Sequence, residues 1–307
     1  MLCLKWGFLI MIKKHLDLKK KDDVESHNNE NINNKDKPAE NKGKKEIQHV
    51  HSEESVLKDR KIDEQTAIRN FRYLDELIHS GVKEIVLDSD IVLDPDEKSQ
   101  YLNGIKLDAD DLAIDGNGHA IDAQGLTRIF FCTGKNIIIK NIILKNGFTI
   151  ENGGAINNEG ELTITESTLT ENTTKNGDGG AINNEGELTI TESTLTENTA
   201  KYGGAIHNNG ELTITKSTLN NNIVEVSGGA IHNNKGGELT ITESTLNNNT
   251  AHWKGGAIYN NEGELTITES TLNNNTAQRD GGAIHNLDEK SFKIKDCKLD
   301  NNIPNNY

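Results

Sequence analysis

Apolar and polar residues alternate with a period of two in short bursts along the second half of the chain. Leu162-Thr163-Ile164-Thr165 is one such burst, and Ser167-Thr168-Leu169 is the next, after a bend at Glu166. Period two marks a strand with one buried face. The Thr-rich, β-branched composition suits a pleated surface better than a helix. Upstream the period changes. Phe71, Leu74, Leu77 and Ile78 fall on one helical face and predict a helix over 63–81, stopped near Gly81. Glu84–Leu87 and Gly104–Leu107 read as short strands, and Asp115-Gly116-Asn117-Gly118 carries turn chemistry. Residues 1–62 show no sustained period after a short apolar start and are rich in Lys, Asn, Asp and Glu, which predicts a disordered, charged amino-terminal segment.

The bursts recur. Gly-Gly-Ala-Ile begins at Gly153, Gly179, Gly203, Gly228, Gly255 and Gly281, at spacings of 26, 24, 25, 27 and 26 residues. Residues 157–173 and 183–199 are identical, the mark of duplication. Ile137–Leu144 fits the same register one repeat earlier. A period near 25 built from short strands predicts coils stacked into three parallel sheets around a narrow core. Each coil would bury the equivalents of Ile156, Leu162, Ile164 and Leu169. At about 1.5–3 kcal/mol per buried aliphatic, four such residues cannot offset the ordering entropy of a 25-residue coil, so the coils must stabilise one another. The fold expected is all-β: a parallel β-helix over 82–303, with six repeats at 153–302, a capping helix, and a tail at 304–307.

Two positions hold Asn in every repeat. One comprises Asn158, Asn184, Asn208, Asn233, Asn260 and Asn286; the other Asn172, Asn198, Asn222, Asn249, Asn275 and Asn302. Asn adopts left-handed backbone conformations readily and bonds turn peptides through its side chain, and stacked copies can form amide ladders. Both rows are therefore expected to be structural. In the last coil Lys293, Lys295 and Lys298 replace outward Thr, which discourages further edge pairing. Cys297 stands in the repeated Ser position and reads as a small packing residue.

Composition narrows this picture. Only 33% of residues are apolar, a level that suggests disorder in a globular chain but suffices for a solenoid with few core residues per coil. The net charge is −15, and residues 150–286 carry most of it, with 18 acidic against 6 basic side chains. That balance argues against nucleic acid as a partner. No apolar run is long enough for a transmembrane helix. Three cysteines, Cys3, Cys132 and Cys297, make neither a disulfide framework nor a four-cysteine zinc site. Met1–Ile12 is apolar apart from Lys5, with Lys13 and Lys14 after it, the wrong order for a secretory signal and without a clear cleavage site, so no clear signal peptide is read.

The pattern GGAI-x-N…LTIT-x-STL-x-x-N-T resembles the polymorphic outer-membrane-protein repeat of surface adhesins. The lead-in Leu112–Ala123, followed by Ile137–Leu144, is similar to adhesin-like proteins with right-handed, single-stranded parallel β-helices of the pectin-lyase-like type. The resemblance implies a cell-surface or extracellular location and a non-enzymatic scaffold that contacts a glycan or a cell-surface protein. Signal peptides and carboxy-terminal anchors, common among such relatives, are not read in this chain.

Four kinds of candidate chemistry remain. β-helix polysaccharide lyases and glycoside hydrolases place Asp, Lys and Arg clusters on one sheet, and catalysis requires an acid/base pair in a cleft. The near-uniform repeats, where Arg279 is the lone arginine, offer no break for such a site, and no catalytic residue or cofactor is expected. Glu161, Glu187, Glu211, Glu238 and Glu264 stack in register and are the candidates for a divalent cation, since like charges side by side repel and hard cations prefer carboxylates. Thr163/Thr165 and their equivalents Thr189/Thr191, Thr213/Thr215, Thr240/Thr242 and Thr266/Thr268 form an array of the kind seen on ice-binding β-helices, although Thr is also a good outward strand residue. His207 and His232 share one position in adjacent coils, with Tyr259 and His285 following, and stacked histidines could bind a metal. Because Asn157 and Asn183 fill the position in earlier repeats and no carboxylate joins in register, they are read as surface variation.

Overall fold

The computed structural model describes residues 69–307. The predicted disordered segment and the first residues of the predicted helix lie outside this range. Within it the chain is a solenoid of parallel strands. Nine strands form the longest sheet: Glu84–Val86, Ala113–Asp115, Ile137–Lys140, Glu161–Thr165, Glu187–Thr191, Glu211–Thr215, Glu238–Thr242, Glu264–Thr268 and Phe292–Lys295. An eight-stranded sheet begins at Ile105–Leu107, runs through Phe130–Cys132 and Ile156–Asn158, and ends at Ile284–Asn286. A seven-stranded sheet runs from Ile91–Val92 to Thr245–Asn247. All the pairings between strands are parallel, so each coil lies on the one before it.

A fourth sheet, absent from the sequence expectation, has six short strands from Phe148–Thr149 to Thr276–Ala277. It lies between each Asn172-type corner and the next Gly-Gly pair. Two-residue strands such as Thr173–Thr174 carry no alternation from which a strand could be read. Ala200, Val224 and Ala251 form a small apolar cluster of their own beneath it.

The main core follows the predicted period. Ile156, Leu162, Ile164 and Leu169 are all 2% exposed or less, as are their equivalents in later coils up to Leu272, and the Ala of each GGAI joins them; Phe292, Ile294 and Leu299 of the last coil are half-buried. The helix α1 (Phe71–Ile78) is shorter than expected. Asn70 caps it by accepting from the Tyr73 N–H at 3.1 Å, and Phe71, Leu74 and Ile78 bury its apolar face. It packs against the strands Ile91–Val92 and Ile105–Leu107, at the first coils. Lys293, Lys295 and Lys298 sit opposite Thr266, Thr268 and Thr271 on the last coil, as the sequence suggests.

Both Asn rows are ladders. Asn158 donates to Asn184 Oδ1 at 2.7 Å, and the chain of amides continues to Asn286. Asn172 donates to Asn198 Oδ1 at 3.1 Å, and that chain continues to Asn302. The backbone reason given for them needs correction, however. The ladder residues themselves do not have positive φ. Beside the Asn172 row that conformation falls one residue earlier, on Glu171, Glu197, Asn221, Asn248, Asn274 and Asn301, and at the preceding bend on Glu166, Glu192, Lys216, Glu243 and Glu269; the residues before the Asn158 row do not have it. The exposed residue turns the corner; the Asn after it points into the bend and bonds there.

A third ladder was not foreseen. The backbone N–H groups of Ser167, Ser193, Ser217 and Ser244 each donate to the Oγ of the next Ser at 3.1 Å. Each Oγ in turn donates to the carbonyl two residues back, as Ser193 does to Thr191 at 2.8 Å. Cys297 ends this row with its Sγ 3.2 Å from the Lys295 carbonyl, which fits its reading as a small residue in the Ser position.

Candidate functional site

The middle residue of each strand in the eight-stranded sheet faces away from the core. In register these residues are Lys106, Phe131, Asn157, Asn183, His207, His232, Tyr259 and His285. Outward positions on a solenoid ordinarily reach solvent, so the sequence treats His207 and His232 as surface variation. The structure corrects this: they are 5% and 6% exposed. The segments that precede each Gly-Gly pair fold across the row, and they cover what alternation alone places outside.

A column of rings results. His207 stacks on His232 with centroids 5.1 Å apart and planes 19° apart. Tyr259 follows at 4.8 Å, and His285 stacks on Tyr259 at 5.3 Å. Tyr202, from the covering segment, meets His232 edge-on at 5.1 Å. Trp253, from the equivalent segment two coils on, remains 40% exposed, with the Lys254 ammonium 5.5 Å and the Arg279 guanidinium 5.4 Å from its ring centre. Tyr202, His207, His232, Trp253 and Tyr259, with Asp178, line a depression of about 320 Å³. The Asn234 and Asn261 amides, bonded to each other at 2.8 Å, stand beside it in the turns that follow the strands.

Burial sets the protonation of this column. It pulls the His232 imidazole down to about 3, with His207 beside it pushing the same way and the Ser227 backbone opposing weakly. Burial also lowers His207, against the pull of Asp178 and Glu185. It raises the Asp178 carboxyl, against His207 and Lys201. Asp178 Oδ2 and His207 Nδ1 are 3.9 Å apart, beyond hydrogen-bonding distance. The Nδ1 atoms of His207 and His232 are buried and have no hydrogen-bond partner.

This arrangement makes stability depend on pH. The unfolded His232 takes up a proton as pH falls through its ordinary value near 6.5, while the folded one stays neutral until about 3. Stability is therefore lost as pH falls between those values, by about 2 kcal/mol at pH 5 from this residue alone. His232→Asn, which installs the residue found in register at Asn183, should flatten the loss between pH 8 and 5 by that amount. Urea unfolding at both pH values measures it; an equal loss in the variant would show that His232 is not its source.

A second depression, of about 860 Å³, lies on the same face one coil earlier; Arg128, Phe131, Glu151, Asn157 and Asn183 are among the residues that line it. Its polar groups are largely committed. Arg128 donates to the carbonyls of Gly153, Asn103 and Asn152 at 2.9, 3.3 and 2.6 Å, and the Asn183 amide donates to Asn157 at 2.8 Å. Arg128 thus ties neighbouring coils together.

The residues singled out from the sequence lie elsewhere. Glu161, Glu187, Glu211, Glu238 and Glu264 do pair in register on the nine-stranded sheet, as expected, and all but the half-buried Glu161 are exposed. Among the described residues no group of three or more His, Cys, Asp or Glu side chains could hold a metal ion. The Thr pairs flank the same row in register. Neither row forms a concave site. What the sequence reading missed is the ring column and its cover. The available signal was that repeat-to-repeat differences cluster just before Gly-Gly (Asn176-Gly177-Asp178, Lys201-Tyr202, Val224-Glu225-Val226, His252-Trp253-Lys254) and in the turn after the Asn158-type position.

A regular solenoid with amide ladders, one face covered by variable segments, defines a repeat scaffold that carries its individuality on that face. Residues 243–261 and 269–287 match the family model of the Chlamydia polymorphic membrane protein repeat, and the parallel β-solenoid agrees with the resemblance read from the GGAI and LTIT motifs. No curated protein matches the chain, and no solved structure does. No helix of the described residues is long and apolar enough to cross a membrane.

Proposed function

We propose that the chain is a non-enzymatic, adhesin-like scaffold at the cell surface or outside the cell, which holds one face towards a glycan or a cell-surface protein. The observation that carries this reading is the repetition itself. Coil after coil reproduces the same core and ladders, while variation concentrates on the segments flanking the eight-stranded sheet. Such a division suits a rigid support with an adjustable contact surface. The match of two segments to polymorphic membrane protein repeats supports the surface location.

Labelled full-length chain, offered to cells and to a panel of polysaccharides, should be retained without chemical change in what it binds. New reducing ends or unsaturated sugar ends in the supernatant would instead establish a β-helix lyase or hydrolase and overturn the scaffold reading. Failure to be retained on any cell or polysaccharide surface would overturn it as well.

A further inference from the structure

The column of rings asks for an explanation that packing does not supply. Asn fills the same row in earlier coils, where Asn183 and Asn157 bond each other. Asn183 leaves one buried oxygen, its Oδ1, without a partner, and His207 and His232 add two buried nitrogens without partners, each at a cost of about 1–3 kcal/mol. Tyr259 and Trp253 add ring surface beside them, and Trp253 stays 40% exposed. A partly exposed tryptophan beside a depression lined by imidazoles with unpartnered nitrogens is accounted for by a ligand rather than by the fold.

We propose that the depression formed by Asp178, Tyr202, His207, His232, Trp253 and Tyr259 binds an uncharged sugar ring of a glycan. The proposal rests on the scaffold reading for its biological setting but concerns the site alone. Three features of the depression select this class. The first is the partly exposed Trp253 ring, an aromatic surface suited to the apolar face of a pyranose; Tyr259 is stacked between His232 and His285 and presents its edge. The second is a surrounding set of short polar groups of both kinds. The Asp178 carboxyl oxygens accept and the Asn234 and Asn261 amides donate and accept, matching the edge of hydroxyls around such a ring; the Nδ1 atoms of His207 and His232 are themselves buried. The third is charge. The imidazoles stay neutral and the Asp178 carboxyl stands in the lining, so no cation lines the depression; the Arg279 guanidinium lies outside the lining, by the Trp253 ring. The Lys254 ammonium is already paired with Asp280 at 3.3 Å. A volume of about 320 Å³ is at the lower end for small-ligand sites, near 300 Å³, and suits a mono- or disaccharide terminus rather than a long enclosed chain.

The test uses the full chain on an array of immobilised oligosaccharides, with cell binding alongside, measured before and after periodate oxidation of vicinal diols. The expected result is retention on uncharged sugars. Trp253→Ala should weaken that retention about tenfold or more, Trp253→Phe should keep most of it, and Thr189→Ala on the nine-stranded sheet should leave it unchanged. Unchanged circular dichroism and melting of Trp253→Ala, whose ring is partly exposed, separates loss of the site from loss of the fold. Retention that ignores both Trp253→Ala and Tyr259→Ala would overturn the assignment of the site. Retention confined to carboxylated or sulfated sugars would overturn the ligand class. Periodate-insensitive cell binding with an empty array would overturn the sugar site and leave the scaffold reading intact. Sugar retention dependent on Trp253 but accompanied by product release would do the reverse.

Discussion

Asn222→Ala should destabilise the solenoid by about 3–5 kcal/mol, far more than its modest change in apolar surface suggests. Asn222 is fully buried. Its Oδ1 accepts from the Asn198 backbone N–H at 3.1 Å and from the Asn198 amide at 3.0 Å. Its Nδ2 donates to the Leu195 carbonyl and to Asn249 Oδ1, both at 3.0 Å. Alanine removes both halves of this exchange. The Asn198 backbone N–H and the Leu195 carbonyl lose these partners inside the solenoid, each a loss of about 1–3 kcal/mol, and a small void opens between coils. Thr218→Ala, at a half-buried outward position on the adjoining seven-stranded sheet, should change stability by no more than about 0.5 kcal/mol. Urea unfolding of the two variants gives the comparison. Equal effects would mean that the ladder is an incidental consequence of stacking identical coils and not a support for them.

The contrast between ladders and covered histidines explains how far the sequence could be read. Ile156, Leu162, Ile164 and Leu169 were legible because a two-residue period and a fixed repeat length locate inward positions without knowledge of what lies on the other face. Asn158 and Asn172 were legible as ladders because each recurs without exception. Their backbone conformation was not: the propensity of Asn for positive φ is genuine, but neither row adopts it, and at the Asn172-type corner it falls on the preceding, exposed residue, which is Glu in two coils and Asn in the rest. Ser167 and its equivalents also recur, yet Ser is common on strand surfaces and repetition alone does not reveal burial. The ring column failed for a different reason. Alternation predicts that His207 and His232 face outward, which is correct, and solvent exposure was inferred from direction. Exposure depends on tertiary cover, here from segments that vary in length and composition and so carry no period. The same lack of period hid the fourth sheet. The part of the chain least legible from its pattern is the part that distinguishes one coil from the next.

Gly204→Ala should be the more damaging substitution, with a loss above about 4 kcal/mol or outright failure to fold. The two glycines of each Gly-Gly pair are required for different reasons. Gly203 has φ +60°, which a side chain adopts only with strain. Gly204 does not; its constraint is the neighbouring coil. A Cβ there would lie far inside van der Waals contact with the Gly229 carbonyl oxygen of the next coil, and close to the Ile223 nitrogen and Asn222 Cβ. Gly154, Gly180, Gly229 and Gly256 meet a backbone oxygen of the next coil in the same way. Because the obstacle is backbone held in parallel pairing, no rotamer change relieves it. The coils would have to separate, which would break the pairing and the Asn222 ladder beside it. Gly236 provides the control. It has φ +86° and no atom within 4 Å of the added carbon, so Gly236→Ala pays only the backbone strain of about 1–2 kcal/mol. Thermal and urea unfolding, with soluble yield as the measure if Gly204→Ala does not fold, ranks the two. A Gly204→Ala protein as stable as Gly236→Ala would show that coils can shift apart at little cost, and would remove close inter-coil approach as the reason the repeat begins with two glycines.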